Sequence, residues 1–290
     1  MQHVLQANYR RRSRNREVGS CGKSMHAGMR SILGSDGCIM LSNRGGSLDK
    51  PTFKELSKFD PKTYVRLIRY LRQIYRIVPF CEIENGDAPY LILRHDVDVS
   101  LESALKMAEI EHKMEVRSTY FILLSSNHYN SFEGRNAATI KRISGFGHEI
   151  GLHYDVEQYR CYTEGTDQAL KKEIQALENL VGKEVRSISS HAPMHSSSFL
   201  DSSSYVNADD SRLRDIYVHD SRKLWTIKSL SVLLNNPPRR VQLLVHPCHW
   251  WPPVKPRTKL DLALLDVLWF LNRLRTLVIR VVHSRESCEN

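Results

Sequence analysis

Between Pro61 and Val78 the apolar residues Tyr64, Leu67, Ile68, Leu71, Ile74, Tyr75 and Val78 return every three or four positions. That spacing predicts an amphipathic helix over 61–78, packed outside the main body. Asn85-Gly86-Asp87 then breaks the chain. Beyond it, short apolar runs alternate with helical periods. Tyr90–Leu93, Thr119–Leu123, His148–Leu152 and Val185–Ser189 read as strands, and further strand signals lie at Ile216–Val218 and Val241–Val245. Leu101, Leu105, Met107 and Ile110 mark a helix with Ser100 as its N-cap and Glu102 in its first turn. Ala137–Ile143, closed by Gly145, and Ala169–Val181, stopped by Gly182, read as two more. Residues 196–211 are rich in Ser and Asp and predict a long loop; Leu260–Val278 predicts a long apolar helix at the end.

Strands that alternate with helices, most of them apolar on both faces, predict an α/β fold with a mainly parallel sheet. Across roughly 200–240 residues, one closed or nearly closed barrel fits better than two small domains. In such barrels the chemistry sits where strands end and loops begin.

Composition narrows the class without naming a function. The chain has 290 residues, 41% hydrophobic and 26% charged, which excludes a collagen-like, coiled-coil or wholly disordered protein. The six cysteines are scattered with no CxxC pair, which argues against a disulfide framework and a structural zinc knuckle. Apolar stretches are too short and too charged to span a bilayer. The net charge is +10, yet residues 1–50 hold nine Lys/Arg against three acids and half of the 14 glycines. This arm, with Arg10-Arg11-Arg12-Ser13-Arg14-Asn15-Arg16 at its centre, has no period and too little apolar surface to offset its ordering entropy. It reads as a tail for phosphates or anionic surfaces, as a targeting segment, or as a plain extension. The remaining +4 gives no broad basic face, which argues against nucleic acid as a partner.

Polar clusters follow the apolar runs. Arg94-His95-Asp96-Val97-Asp98 places two carboxylates two residues apart, a pair that can divide metal ligation from base catalysis. His153 falls where the third strand meets its loop, with Asp155 and Glu157 just beyond; His148, at the other end of that strand, reads as structural. Ser190-His191, His219-Asp220 and His246-Pro247-Cys248-His249-Trp250-Trp251 complete the set. Five strand ends that each carry His, Asp or both predict an enzyme.

These motifs resemble those of the NodB-homology polysaccharide deacetylases, carbohydrate esterase family 4 and its divergent relatives. The resemblance covers about residues 85–280 and rests on Leu93-Arg94-His95-Asp96-Val97-Asp98 and Gly147-His148-Glu149-Ile150-Gly151-Leu152-His153-Tyr154-Asp155. His191-Ala192-Pro193 and Leu244-Val245-His246 sit where the family has its later motifs. It implies a distorted (β/α) barrel of mainly parallel strands with outer helices, holding a divalent metal, usually zinc. By this resemblance Asp96 is the general base, Asp98 and His153 are metal ligands, and His246 is the general acid with Asp220 orienting it. Trp225 and Trp251 are implied as pocket walls. The family's second motif has a further histidine four residues after His153, where this chain has Glu157. Either Glu157 or His191 would then complete the metal set. Tyr154, Trp250 and Trp251 offer flat faces for a sugar ring. The expected activity is hydrolysis of a C–N, non-peptide amide bond, removing acetyl groups from an N-acetylated sugar or polysaccharide precursor. The Glu157 departure raises the alternative of a catalytically impaired barrel that binds glycans or acts as a scaffold. The domain reading is a basic extension over 1–50, a helical lead-in over 51–84 and the barrel over 85–285. With neither a secretory signal nor a membrane span recognised, the expected location is the cytoplasm.

Overall fold

The computed structural model describes residues 50–83, 89–159, 163, 165–191 and 204–253. The basic arm up to residue 49, the Asn85-Gly86-Asp87 break, Ala192-Pro193, the first half of the Ser/Asp-rich loop and the terminal apolar helix lie outside the described residues.

The chain enters through α1 (Phe53–Leu56), where Thr52 and Glu55 form a capping box, and α2 (Pro61–Leu71), capped by Asp60 with Pro61 in its first turn. The helix predicted through Val78 stops at Leu71. Ile74 and Tyr75 turn back onto the Leu71 carbonyl, and Arg76–Val78 forms strand β1. A turn followed by a strand can reproduce a three-to-four spacing, so the period overran the helix. Nor does α2 lie outside the main body. Its Leu67, Ile68 and Leu71 are fully buried in one cluster with Leu91, Leu93, Leu243 and Trp250.

Among the described residues seven further strands follow: β2 (Tyr90–Val97), β3 (Thr119–Leu123), β4 (Glu149–Tyr154), β5 (Ser187–Ser190), β6 (Val206–Asn207), β7 (Ile216–His219) and β8 (Arg240–Val245). The main helices are α3 (Leu101–Lys113), α4 (Gly134–Gly145), α5 (Val156–Tyr159), α6 (Thr166–Val181), α7 (Ile227–Asn235) and α8 (Pro247–Trp250). Ser100 caps α3 by accepting the Ser103 N–H, and Gly182 ends α6 at φ 74, a left-handed conformation that suits glycine.

All strand pairs are parallel, in the order β6-β5-β4-β3-β2-β8-β7. β8 pairs with β2 from Tyr90 to His95, so β1, paired at Tyr90–Ile92, shares the other edge of β2 with β3. The result is a curled parallel sheet with outer helices, a (β/α) half-barrel open between β6 and β7 among the described residues. Arg214 ties the carbonyl of Ala208, just after β6, to Gln242 Oε1 on β8 at 3.1 and 2.7 Å.

Alternation decides which side chains enter the barrel. On β2, Leu91 and Leu93 join the outer helices, whereas Tyr90 and Ile92 meet Val78, Phe80, Phe121 and Ala208 in an inner apolar floor. Arg94 and Asp96 continue that inner face above the floor. Gly151 on β4 keeps the interior passable for Phe121, since a Cβ there would stand 2.5 Å from that ring and 2.8 Å from Ser187 Oγ.

Candidate active site

Asp98, one residue past β2, stands at the centre of the upper end of the sheet. Its Oδ1 is 3.3 Å from His153 Nε2 and its Oδ2 is 3.8 Å from His246 Nε2. His153 is on the inner face of β4. Its Nδ1 bonds the Ser189 carbonyl at 3.1 Å, which leaves Nε2 turned toward Asp98. His191 follows β5, and its N–H donates to the Tyr154 carbonyl at 2.7 Å, prolonging the contact between β4 and β5. Its ring meets that of His153 edge-on at 5.2 Å, and its Nδ1 is 3.6 Å from Asp155 Oδ2. Asp98, His153 and His191 each present a ligand atom within 4.8 Å of the others.

The residues fit a divalent cation on two counts. One carboxylate and two imidazoles make a zinc-type donor set that leaves room for water. Asp98 Oδ1 is also buried without a hydrogen-bond partner, a costly state for a carboxylate oxygen unless a cation answers it. Burial works to raise the Asp98 pKa, but His153, His246 and His191 outweigh it and hold the carboxyl well below its usual range.

Of the two candidates for the remaining ligand, the structure gathers His191 and leaves Glu157 outside the group. Glu157 sits exposed in the first turn of α5. Its N–H bonds Asp155 Oδ1 at 3.1 Å, so the chain has already left the strand direction when Glu157 is reached.

Asp96 faces the same interior, its Oδ2 3.7 Å from His153 Nε2. Arg94 clamps it through Nε to Oδ1 at 2.8 Å and Nη2 to Oδ2 at 2.9 Å. Arg94 is 2% exposed, donates also to Ser189 Oγ, and reaches Asp209 Oδ1 at 3.2 Å. Burial would raise the Asp96 pKa; the guanidinium outweighs it and keeps the carboxyl ionised. The motif reading gave Arg94 and Asp209 no role. Arg94 was legible, because a residue two before Asp96 in a strand shares its face. Asp209 comes from the loop after β6 and left no local signal.

His246 follows β8 and leads into α8. Its Nδ1 lies 2.6 Å from Asp220 Oδ1, and its backbone N–H donates to both Asp220 oxygens at 3.0 and 3.2 Å. Trp250 Nε1–H donates to Asp220 Oδ2 at 2.8 Å. Asp220 is fully buried. Burial disfavours the imidazolium, but the Asp220 carboxylate more than compensates and raises the His246 pKa to about 9. The ring is thus anchored at Nδ1 and turns Nε2 toward Asp98.

Two residues expected at the sugar face are elsewhere. Tyr154 is fully buried in the helix-side core, stacked on Tyr159 at 6.3 Å. As the neighbour of inward-facing His153 on a strand, it must face outward. Trp250 is fully buried against Phe59 and Tyr64, its indole N–H spent on Asp220. Trp251 is half-buried, edge-on to Tyr64 at 5.5 Å, and Trp225 stacks on Phe59 at 5.8 Å. His148 bonds the Ala108 carbonyl and Ser118 away from the site.

No family model and no curated protein matches the chain. Among solved structures it is similar to a chitin deacetylase from Colletotrichum lindemuthianum, at 20% identity over 66% of this chain and 85% of that one, with a TM-score of 0.42. It is also similar to a peptidoglycan deacetylase from Bacillus subtilis, at 16% identity over 54% of this chain and 74% of that one, with a TM-score of 0.36. A CE4 family pseudoenzyme from Bacillus anthracis matches at 17% identity and a TM-score of 0.40, and the alignment spans 56% of each chain.

Proposed function

We propose that this chain is a metal-dependent deacetylase of the carbohydrate esterase family 4 type, removing acetyl groups from the nitrogen of an acetylated sugar. The observation that carries the reading is Asp98, which shares a ligand group with the His153 and His191 imidazoles and turns Oδ2 toward the anchored His246. Asp98, His153 and His191 are the residues that would hold the cation. When bound, a zinc-class ion supplies a Lewis acid that polarises the acetyl carbonyl and lowers the pKa of attacking water.

The chain's own groups do the rest. Asp96 takes the proton of the attacking water as oxygen bonds to the acetyl carbon. His246 gives its Nε2 proton to the nitrogen as the C–N bond breaks, because an amine leaves poorly as an anion. Acetate and the free amine are the products. Asp220 holds the His246 ring by Nδ1 and keeps it cationic until that step. Arg94 fixes the Asp96 carboxylate toward His153.

One observation favours the impaired-barrel reading. With both oxygens held by Arg94, Asp96 is a weakened base. Acetate release from N-acetylated glycan oligomers, measured with the metal content of the same sample, decides between them. Zinc retention with acetate release that is lost in Asp96→Asn supports the deacetylase. Zinc retention with no release from any acetylated glycan tested supports the impaired barrel.

A further inference from the structure

Beside His246 lies an imidazole that this chemistry does not use. His249 is three residues further on, within α8, so the two rings rise from one helical turn. Their centroids are 5.0 Å apart with planes tilted by 38°. His249 Nδ1 is 3.4 Å from Asp220 Oδ2, is buried, and makes no hydrogen bond. Asp220, His246 and His249 each present a ligand atom within 4.8 Å of the others, the second such group among the described residues.

We propose that Asp220, His246 and His249 form a second, inhibitory site for a zinc-class divalent cation. Two imidazoles and a carboxylate are the donors such ions take. Tetrahedral bonds of about 2.0–2.1 Å hold ligand atoms about 3.3 Å apart. The His249–Asp220 separation of 3.4 Å already has that value. The His246–Asp220 pair, at 2.6 Å, is closed by a hydrogen bond and has to open to take the ion. Trp250 Nε1–H fixes the carboxylate from behind, as outer partners of metal-binding carboxylates do. His249 and His246 keep part of their side chains exposed, so an ion can reach the group.

The proton balance gives the consequence. The entering cation replaces the proton on His246 Nδ1, which passes to solvent, and Nε2 keeps its hydrogen on a ring that is no longer an imidazolium. His246 then has no readily released proton for the leaving nitrogen. This inhibitory half rests on the reading of His246 as the acid; the binding half does not.

Zinc is titrated calorimetrically into the metal-free full chain, with acetate release followed at each step. Wild type is expected to take two equivalents, release rising with the first and falling at least tenfold with the second. His249→Gln is expected to take one equivalent and keep its release in excess zinc. Asp98→Ala is expected to take one equivalent through the second group. Cobalt(II) in the wild-type chain gives a measure free of folding effects, since tetrahedral absorption should grow through the second equivalent. One equivalent in wild type that Asp98→Ala abolishes, or two in folded His249→Gln, overturns the site. Two equivalents with no acetate release at any loading overturns the proposed activity and the inhibitory role while the binding site stands.

Discussion

Two clusters of acid and imidazole lie on opposite faces of the sheet and are built from the same side-chain types, yet their hydrogen bonding differs. Outside, Glu111 of α3 is fully buried, and each of its oxygens is met by donors. Oε1 receives Tyr64 Oη and faces His95 Nε2 at 2.8 Å; Oε2 receives Ser118 Oγ at 2.7 Å and Tyr120 Oη at 2.9 Å. The other nitrogen of His95 faces the Val245 carbonyl at 3.2 Å. Inside, Asp98 leaves Oδ1 with no hydrogen bond. A saturated cluster holds the fold; one with an unmet oxygen is a place for a ligand. His95 and Asp96 are consecutive on β2 and belong one to each.

The sharpest way to break this comparison is Asp98→Ala. It should abolish retention of a metal at the first site and reduce acetate release to background, with little change in unfolding, as read by metal analysis, product assay and urea titration. Glu111→Ala should do the reverse. Stripping the partner from a buried pair costs about 3–5 kcal/mol, visible as a lower urea midpoint while zinc still binds at the folded site.

The acid limb of stability sharpens the contrast. Burial would raise the Glu111 pKa, but His95 and the other donors outweigh it and lower it to about 2. A depressed carboxyl stabilises the fold above its unfolded value near 4.5, and that contribution fades as pH falls toward about 2. The shift corresponds to on the order of 3 kcal/mol. Glu111→Gln should flatten that part of the stability–pH curve.

A smaller effect concerns the alkaline limb of activity. On the proposed mechanism His246 acts while protonated, so its raised pKa places the loss of kcat above the ordinary histidine range. Asp220→Asn should move that limb down toward the ordinary histidine range, measured as a kcat–pH profile. Smallest of all, Ser100→Ala removes the α3 cap and should cost about 1 kcal/mol in urea unfolding, with the zinc content of the folded protein unchanged.

Much of the barrel was legible because β2, β3 and β4 are buried on both faces and announce themselves as apolar runs. The polar ends of β2, β4 and β8 made Asp98, His153 and His246 visible as neighbours of strand ends in the same way. Where strand alternation was not carried through, residues went to the wrong side. Tyr154 was placed beside the sugar though its neighbour His153 already claimed the inner face. His191 and Glu157 stayed equivalent in sequence because the choice depends on where α5 leaves β4. β1 and α7 escaped notice for opposite reasons: three residues of strand hid within a helical period, and α7 has leucines but no side-chain N-cap.

The neighbour of β2 on one edge is β8, some 150 residues downstream, and His246 follows it directly. A growing polypeptide that has emerged only as far as α7 therefore carries the inner acids with a bare strand border beside them. Unfinished chains of this kind invite edge-to-edge association. Synthesis of β8 both seals that border and delivers His246 to Asp98 and Asp220, so protection against self-association and completion of the inner acid–imidazole group arrive in a single event.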